Sequence, residues 1–83
     1  MQNITIYSTA TCGYCRMLKS YLQSKSISYN EKMVDEDPSL AQELVSKSGQ
    51  LGVPFTVITT DDGKEEKILG FDKQRVDEVL KLA

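Results

Sequence analysis

Apolar and polar positions switch between two periods along this chain, and each switch marks an element. Ile4-Thr5-Ile6-Tyr7 alternates, which predicts a first strand over Ile4–Ser8 with Ile4 and Ile6 on one face. After the small residues Ser8-Thr9-Ala10 the period becomes helical, predicting a helix from about Cys12 to Lys25 with Cys15, Leu18 and Leu22 on one stripe and Tyr21 beside it. Ile27–Val34 reads as a second strand, interrupted by Asn30, Glu31 and Lys32, with core contacts from Ile27, Tyr29, Met33 and Val34. Asp37-Pro38 supplies an N-cap and a first-turn proline for a second helix over Pro38–Lys47, which should bury Leu40, Leu44 and Val45 and stop near Ser48-Gly49.

Phe55–Thr60, almost all β-branched or aromatic, is the third strand. Asp61-Asp62-Gly63 is a hairpin turn into an antiparallel fourth strand, Lys64–Leu69. Gly70-Phe71-Asp72 ends the sheet, and Asp72 can cap a third helix running to about Leu82 with Val76, Val79, Leu80 and Leu82 towards the core. The order βαβαββα predicts an α/β domain over residues 1–83, with a four-stranded mixed sheet and helices on both faces.

The chemistry sits in Thr11-Cys12-Gly13-Tyr14-Cys15, which holds both cysteines three positions apart. Residues i and i+3 lie on one side of a helix, so the two sulfurs can meet, close into a disulfide and reopen. Cys12 falls where the first strand hands over to a helix N-terminus. Unpaired N–H groups and the positive end of the helix dipole favour an anion there, and thiols in such places ionise with pKa values of roughly 3.5 to 7.5. A thiolate is the species that attacks disulfides. Arg16, one turn on, either adds to that stabilisation or is a solvated helix position. Tyr14 lies exposed between the cysteines and offers a contact surface. Three other uses of the pair compete. A purely structural disulfide would close a loop too short to remove much chain entropy. Zinc within one chain lacks its ligands, because there is no second cysteine pair and no histidine. A cluster or zinc shared through Cys12 between two copies is the non-enzymatic alternative, and colour, iron content and dimerisation would reveal it.

Composition narrows the setting. At 83 residues there is room for one core and none for a separate substrate domain. A 40% hydrophobic and 27% charged chain is globular, and a net charge of −2 removes the basic face that nucleic-acid binding leans on. The beginning of the sequence has no basic segment followed by a long apolar one, and no apolar run approaches a membrane span. A cytoplasmic location is expected, where thiols are kept reduced and a cycling pair is better placed than a structural bond.

With that order beside a C-x-x-C at the first strand-helix junction, the chain resembles the glutaredoxins, dithiol oxidoreductases of thioredoxin-like fold, over essentially its whole length. Cys12-Gly13-Tyr14-Cys15, Gly52-Val53-Pro54 and Gly70-Phe71-Asp72 carry the match. The resemblance implies that Cys12 is the nucleophile and Cys15 the resolving thiol, that the Val53-Pro54 bond is cis, and that Val53 offers its backbone to an extended substrate. Without it, Pro54 would be read as trans. Tyr14, Val53, Pro54, Gly70, Phe71 and Asp72 are the candidate substrate-binding residues, and no metal site is expected.

Glutathione-using members usually have a basic residue where this chain has Thr9, often Thr where it has Gly52, and commonly Gly-Gly where it has Gly70-Phe71. The Gly-Phe pair is similar to that of the NrdH-redoxins, which take electrons from thioredoxin reductase and pass them to ribonucleotide reductase. Gly13-Tyr14 is closer to glutaredoxins and mycoredoxins. The expected partners are a disulfide-containing protein and, as electron donor, glutathione or a similar thiol, or a thioredoxin-reductase-type flavoprotein, with ribonucleotide reductase among the acceptors. No tightly bound cofactor, nucleic acid or membrane is expected, and the chain should act as a monomer. Phe71 is either a docking residue or a staple packed on the third helix.

Overall fold

A computed structural model describes residues 3–81. The elements follow in the expected order: β1 Asn3–Ser8, α1 Gly13–Ser24, β2 Asn30–Met33, α2 Pro38–Ser48, β3 Phe55–Thr59, β4 Glu65–Leu69 and α3 Lys73–Leu80. The expected reach of the last helix to Leu82, and the core contact assigned to that residue, lie outside the described residues. The strands form one four-stranded sheet in the order β2-β1-β3-β4. β1 and β2 are parallel, with Thr5 opposite Asn30 and Ser8 opposite Met33, and α1 is the crossover that such a pair requires. β3 runs antiparallel to β1 from Asn3–Thr59 to Tyr7–Phe55, and β4 returns antiparallel beside β3. Gly63, at φ 85°, takes the left-handed conformation that lets the hairpin turn so tightly.

The two central strands are apolar on both sides because both sides are covered. On one face Ile4, Ile6, Ile58 and Ile68 meet Leu18 and Leu22 of α1 and Val76 and Leu80 of α3. On the other, Tyr7, Phe55 and Val57 meet Leu44 of α2, with Val34 and Val53 at the margin. The caps form as the sequence implies. Asp37 Oδ1 accepts the Ser39 N–H at 2.9 Å, and Gly49 ends α2 in the left-handed region at φ 78°.

Two expectations need correction. The second strand is shorter than Ile27–Val34, because ladder pairing with β1 covers only Asn30–Met33; Ile27 and Tyr29 still pack on the core from the connection before it. Val45 is not buried but 41% exposed, whereas Leu44 beside it is fully covered. Successive helical residues point about 100° apart, and of the three expected core residues only Leu44 is buried on the sheet, Leu40 being half-buried. Val45 lies instead with Ala41 and Leu51 on the outer side of α2.

Candidate active site

β1 ends at Ser8, and the residues after it are held before the helix begins. The Val34 N–H donates to the Ser8 carbonyl at 3.0 Å, the Cys12 N–H to the Thr9 carbonyl at 3.3 Å, and the Ala10 N–H to Asp35 Oδ2 at 3.1 Å. Asp35, in the turn after the second strand, therefore fastens the loop. Cys12 follows as the N-cap of α1, in extended conformation at φ −83° and ψ 110°, where a serine or aspartate would be usual. Its Sγ occupies the place of a capping oxygen and accepts the Cys15 N–H at 3.1 Å. Cys12 and Cys15 are joined as a disulfide, their Cα atoms 5.2 Å apart. Cys12 is partly exposed, while Cys15, first of the buried stripe that continues through Leu18 and Leu22, has no exposed surface.

The strand registers bring two further segments to this end of the sheet. One step beyond the Tyr7–Phe55 pair, Pro54 comes opposite Ser8, and one step beyond Phe55–Leu69, Gly70 comes opposite Pro54. The Gly70 N–H donates to the Pro54 carbonyl at 2.7 Å, which ties them together. The Val53-Pro54 bond is cis, as the resemblance implies. Gly70 takes φ 79°, a conformation that a residue with a side chain rarely adopts. Before this segment the Gln50 side chain accepts the Gly52 N–H. A Cβ at Gly52 would run into that side chain, so the glycine and this tether go together.

The predicted site residues divide on this geometry. Tyr14 and Met17, 65% and 52% exposed, stand at i and i+3 and with Gly13 form a shallow apolar shelf beside Cys12. Val53 packs at the margin of the Tyr7–Leu44 cluster. Phe71 turns the other way: its ring packs on the α1/α3 core, 6.2 Å from the ring of Tyr21. Tyr21 is nine residues past Cys12, roughly 13 Å along the helix at 1.5 Å per residue. Asp72 is occupied as the cap of α3, its Oδ1 accepting the Arg75 N–H at 3.0 Å. Arg16 is exposed.

Sequence reasoning passed over one cluster. Ser8, fully buried, donates through Oγ to Glu31 Oε2 at 2.7 Å and lies 3.2 Å from Met33 Sδ. Lys19 Nζ reaches the same Glu31 oxygen at 2.6 Å. Lys19 holds the Glu31 carboxyl below the usual carboxylate range, with Ser8 helping and partial burial opposing. The available signal was that Lys19 stands four residues after Cys15 and that Glu31 interrupts an otherwise plausible strand. Among the described residues no group of three or more His, Cys, Asp or Glu is arranged to hold a metal ion, and no helix is long and apolar enough to cross a membrane.

The glutaredoxin family model matches residues 4–62. A glutaredoxin-like 8.6 kDa protein of the rubredoxin operon of Clostridium pasteurianum is 40% identical over 77 residues, covering 93% of this chain and 96% of that one. A glutaredoxin-like protein NrdH of Lactococcus lactis is 34% identical over 80 residues, 96% of this chain and 99% of its own. Among solved structures, a glutaredoxin of Archaeoglobus fulgidus superposes with a TM-score of 0.75 at 20% identity, over 96% of this chain and 87% of that one, a likeness of fold.

Proposed function

The chain belongs to the glutaredoxin family, and from that premise we propose that it is a thiol-disulfide oxidoreductase in which Cys12 attacks and Cys15 resolves. The observation that carries this reading is Cys12 at the N-cap of α1 with its sulfur on the Cys15 N–H. In the reduced protein the same N–H and the dipole of α1 favour the Cys12 thiolate. That thiolate attacks one sulfur of a substrate disulfide, forming a mixed disulfide and expelling the other sulfur as a thiolate. Cys15 then loses its proton and attacks Cys12 Sγ. The bond to the substrate breaks, the substrate leaves as a thiolate that takes up a proton, and two electrons have passed from the dithiol. The segment through Val53 and Pro54 and the Tyr14 shelf are the surfaces a substrate chain would lie against, with Gly70 at their edge.

The reductant that restores the dithiol is a thioredoxin-reductase-type flavoprotein in this reading, with a ribonucleotide reductase among the acceptors. The near full-length similarity to a protein named NrdH, and Thr9 where glutathione-using members carry a cation, support it. Glutathione or a similar thiol is the competing donor, and the proposed setting is the cytoplasm. Reduction of a protein disulfide should be abolished by Cys12→Ser, whereas Cys15→Ser should accumulate a covalent adduct visible by intact mass. Equal activity of Cys12→Ser and the parent would overturn the proposal. Running the parent with each donor in turn decides the electron source: turnover with glutathione alone would replace the flavoprotein.

A further inference from the structure

Cys15 faces a difficulty that Cys12 does not. Its thiol must ionise to resolve the mixed disulfide, yet it has no exposed surface and sits at the head of a stripe that is otherwise leucine. Burial in apolar surroundings disfavours a thiolate unless a cation lies within about 4–6 Å. The charged groups on that face are few. From α1 and its C-terminal end they are Cys12 itself, Lys25 over the Tyr21 ring, and Lys19, which stands at i+4 from Cys15 with Cβ atoms about 5–6 Å apart. β1 and β3 bring no titratable side chain to it, since the residues there are Ile4, Ile6 and Ser8, and Thr56 and Ile58. β2 brings Glu31. From β4 and α3 come Glu66 with Arg75, engaged at 2.7 Å, and Asp77 with Lys73, engaged at 2.9 Å and bonded also to Tyr21.

We propose that Lys19 is a positioning residue for the second half of the reaction: its ammonium, held on the Cys15 side of α1 by Glu31 and Ser8, stabilises the Cys15 thiolate as it attacks Cys12 Sγ. The holding contacts are specific. Lys19 Nζ and Ser8 Oγ converge on one oxygen of Glu31, at 2.6 and 2.7 Å. The lysine and glutamate side chains are only 22% and 28% exposed, so water screens them less than it would a surface pair. Arg16, one turn from Cys12, is exposed and points about 100° round the helix from Cys15, so water screens it more than Lys19. In the step concerned the Cys15 proton passes to water, the Cys12–Cys15 bond forms as the bond from Cys12 to the substrate breaks, and the substrate leaves as a thiolate. The inference rests on the reading that Cys12 attacks and Cys15 resolves.

The test separates the two steps. Reduced protein is mixed with a symmetrical aromatic disulfide whose thiolate is coloured, so that attack by Cys12 releases one equivalent and resolution by Cys15 a second, each followed against pH. In Lys19→Met the second release should be roughly tenfold slower at neutral pH, its midpoint moved up by about one pH unit, with the first release unchanged. Lys19→Arg should restore the midpoint. Glu31→Gln, which removes the opposing charge and keeps a side-chain oxygen to hold the ammonium, should move it down or leave it in place, never up. A second-step midpoint unmoved in Lys19→Met, or both steps shifted alike, would overturn the proposal. So would an upward shift in Glu31→Gln, which also serves if Lys19→Met does not fold. If the parent shows no second release at all, it is the resolving role of Cys15 that fails, a result distinct from these.

Discussion

Phe71 shows how far a single residue can be read before its neighbours are known. A large apolar side chain on a loop entering a helix fits docking and packing equally well, and the ring beside Tyr21 supports packing. Phe71→Ala should therefore lower stability by about 2 kcal/mol, less than for a fully buried phenylalanine, or roughly 10 °C in melting temperature. Its losses on small and protein disulfides should be equal. An unchanged melting temperature with a loss confined to protein partners would return Phe71 to the surface. Tyr7 was read only as part of a strand, and its chemistry comes from the far side of the sheet. Its hydroxyl donates to Glu43 Oε2 at 2.5 Å, and Lys32 Nζ donates to the same oxygen at 2.5 Å. Burial first, then Glu43, pushes the Tyr7 phenol above its ordinary value near 10, and Lys32 chiefly holds Glu43 below its ordinary 4.5. The raised phenol contributes stability that is full below about pH 10 and is lost as the pH climbs beyond it; the lowered carboxyl contributes above about pH 4.5 and is lost on acidification. Denaturation midpoints measured against pH should show both limbs, and Tyr7→Phe should flatten the alkaline one while lowering neutral stability by about 1 kcal/mol.

At the scale of elements, α1 was legible from its helical period, and α2 because its ends are written in residue types. Asp37-Pro38 and Gly49 mark α2 to within a residue. What was not legible was the width of the buried stripe. Leu44 and Val45 are both apolar and adjacent, and only the sheet beneath decides between them. Leu44→Ala should destabilise by about 2–5 kcal/mol, and Val45→Ala by no more than about 0.5 kcal/mol, in chemical denaturation. Comparable losses would mean that α2 is rotated from the orientation described. β2 was blurred for a different reason. It is an edge strand whose polar residues have work of their own, Glu31 with Ser8 and Lys19 on one face and Lys32 with Glu43 on the other. Alternation of polar and apolar residues could not show it.

For the whole molecule, the order of elements was readable, but the meeting of their ends was not. Cys12, Pro54 and Gly70 lie far apart in the chain, and only the parallel β1–β2 pair, the antiparallel β3 and the returning hairpin bring their segments to one end of the sheet. The resemblance anticipated that convergence from motifs; pairing register supplies the physical reason. The Ser8–Glu31–Lys19 cluster had no motif and became visible only when β2 was laid beside β1 under α1. The proposed mechanism requires the helix start to make Cys12, and not Cys15, the thiolate at neutral pH. Ultraviolet thiolate absorbance of the reduced Cys15→Ser protein, titrated against pH, measures this directly. A Cys12 transition well below the unperturbed ~8.5 is the predicted result, and a transition at or above that value would contradict it.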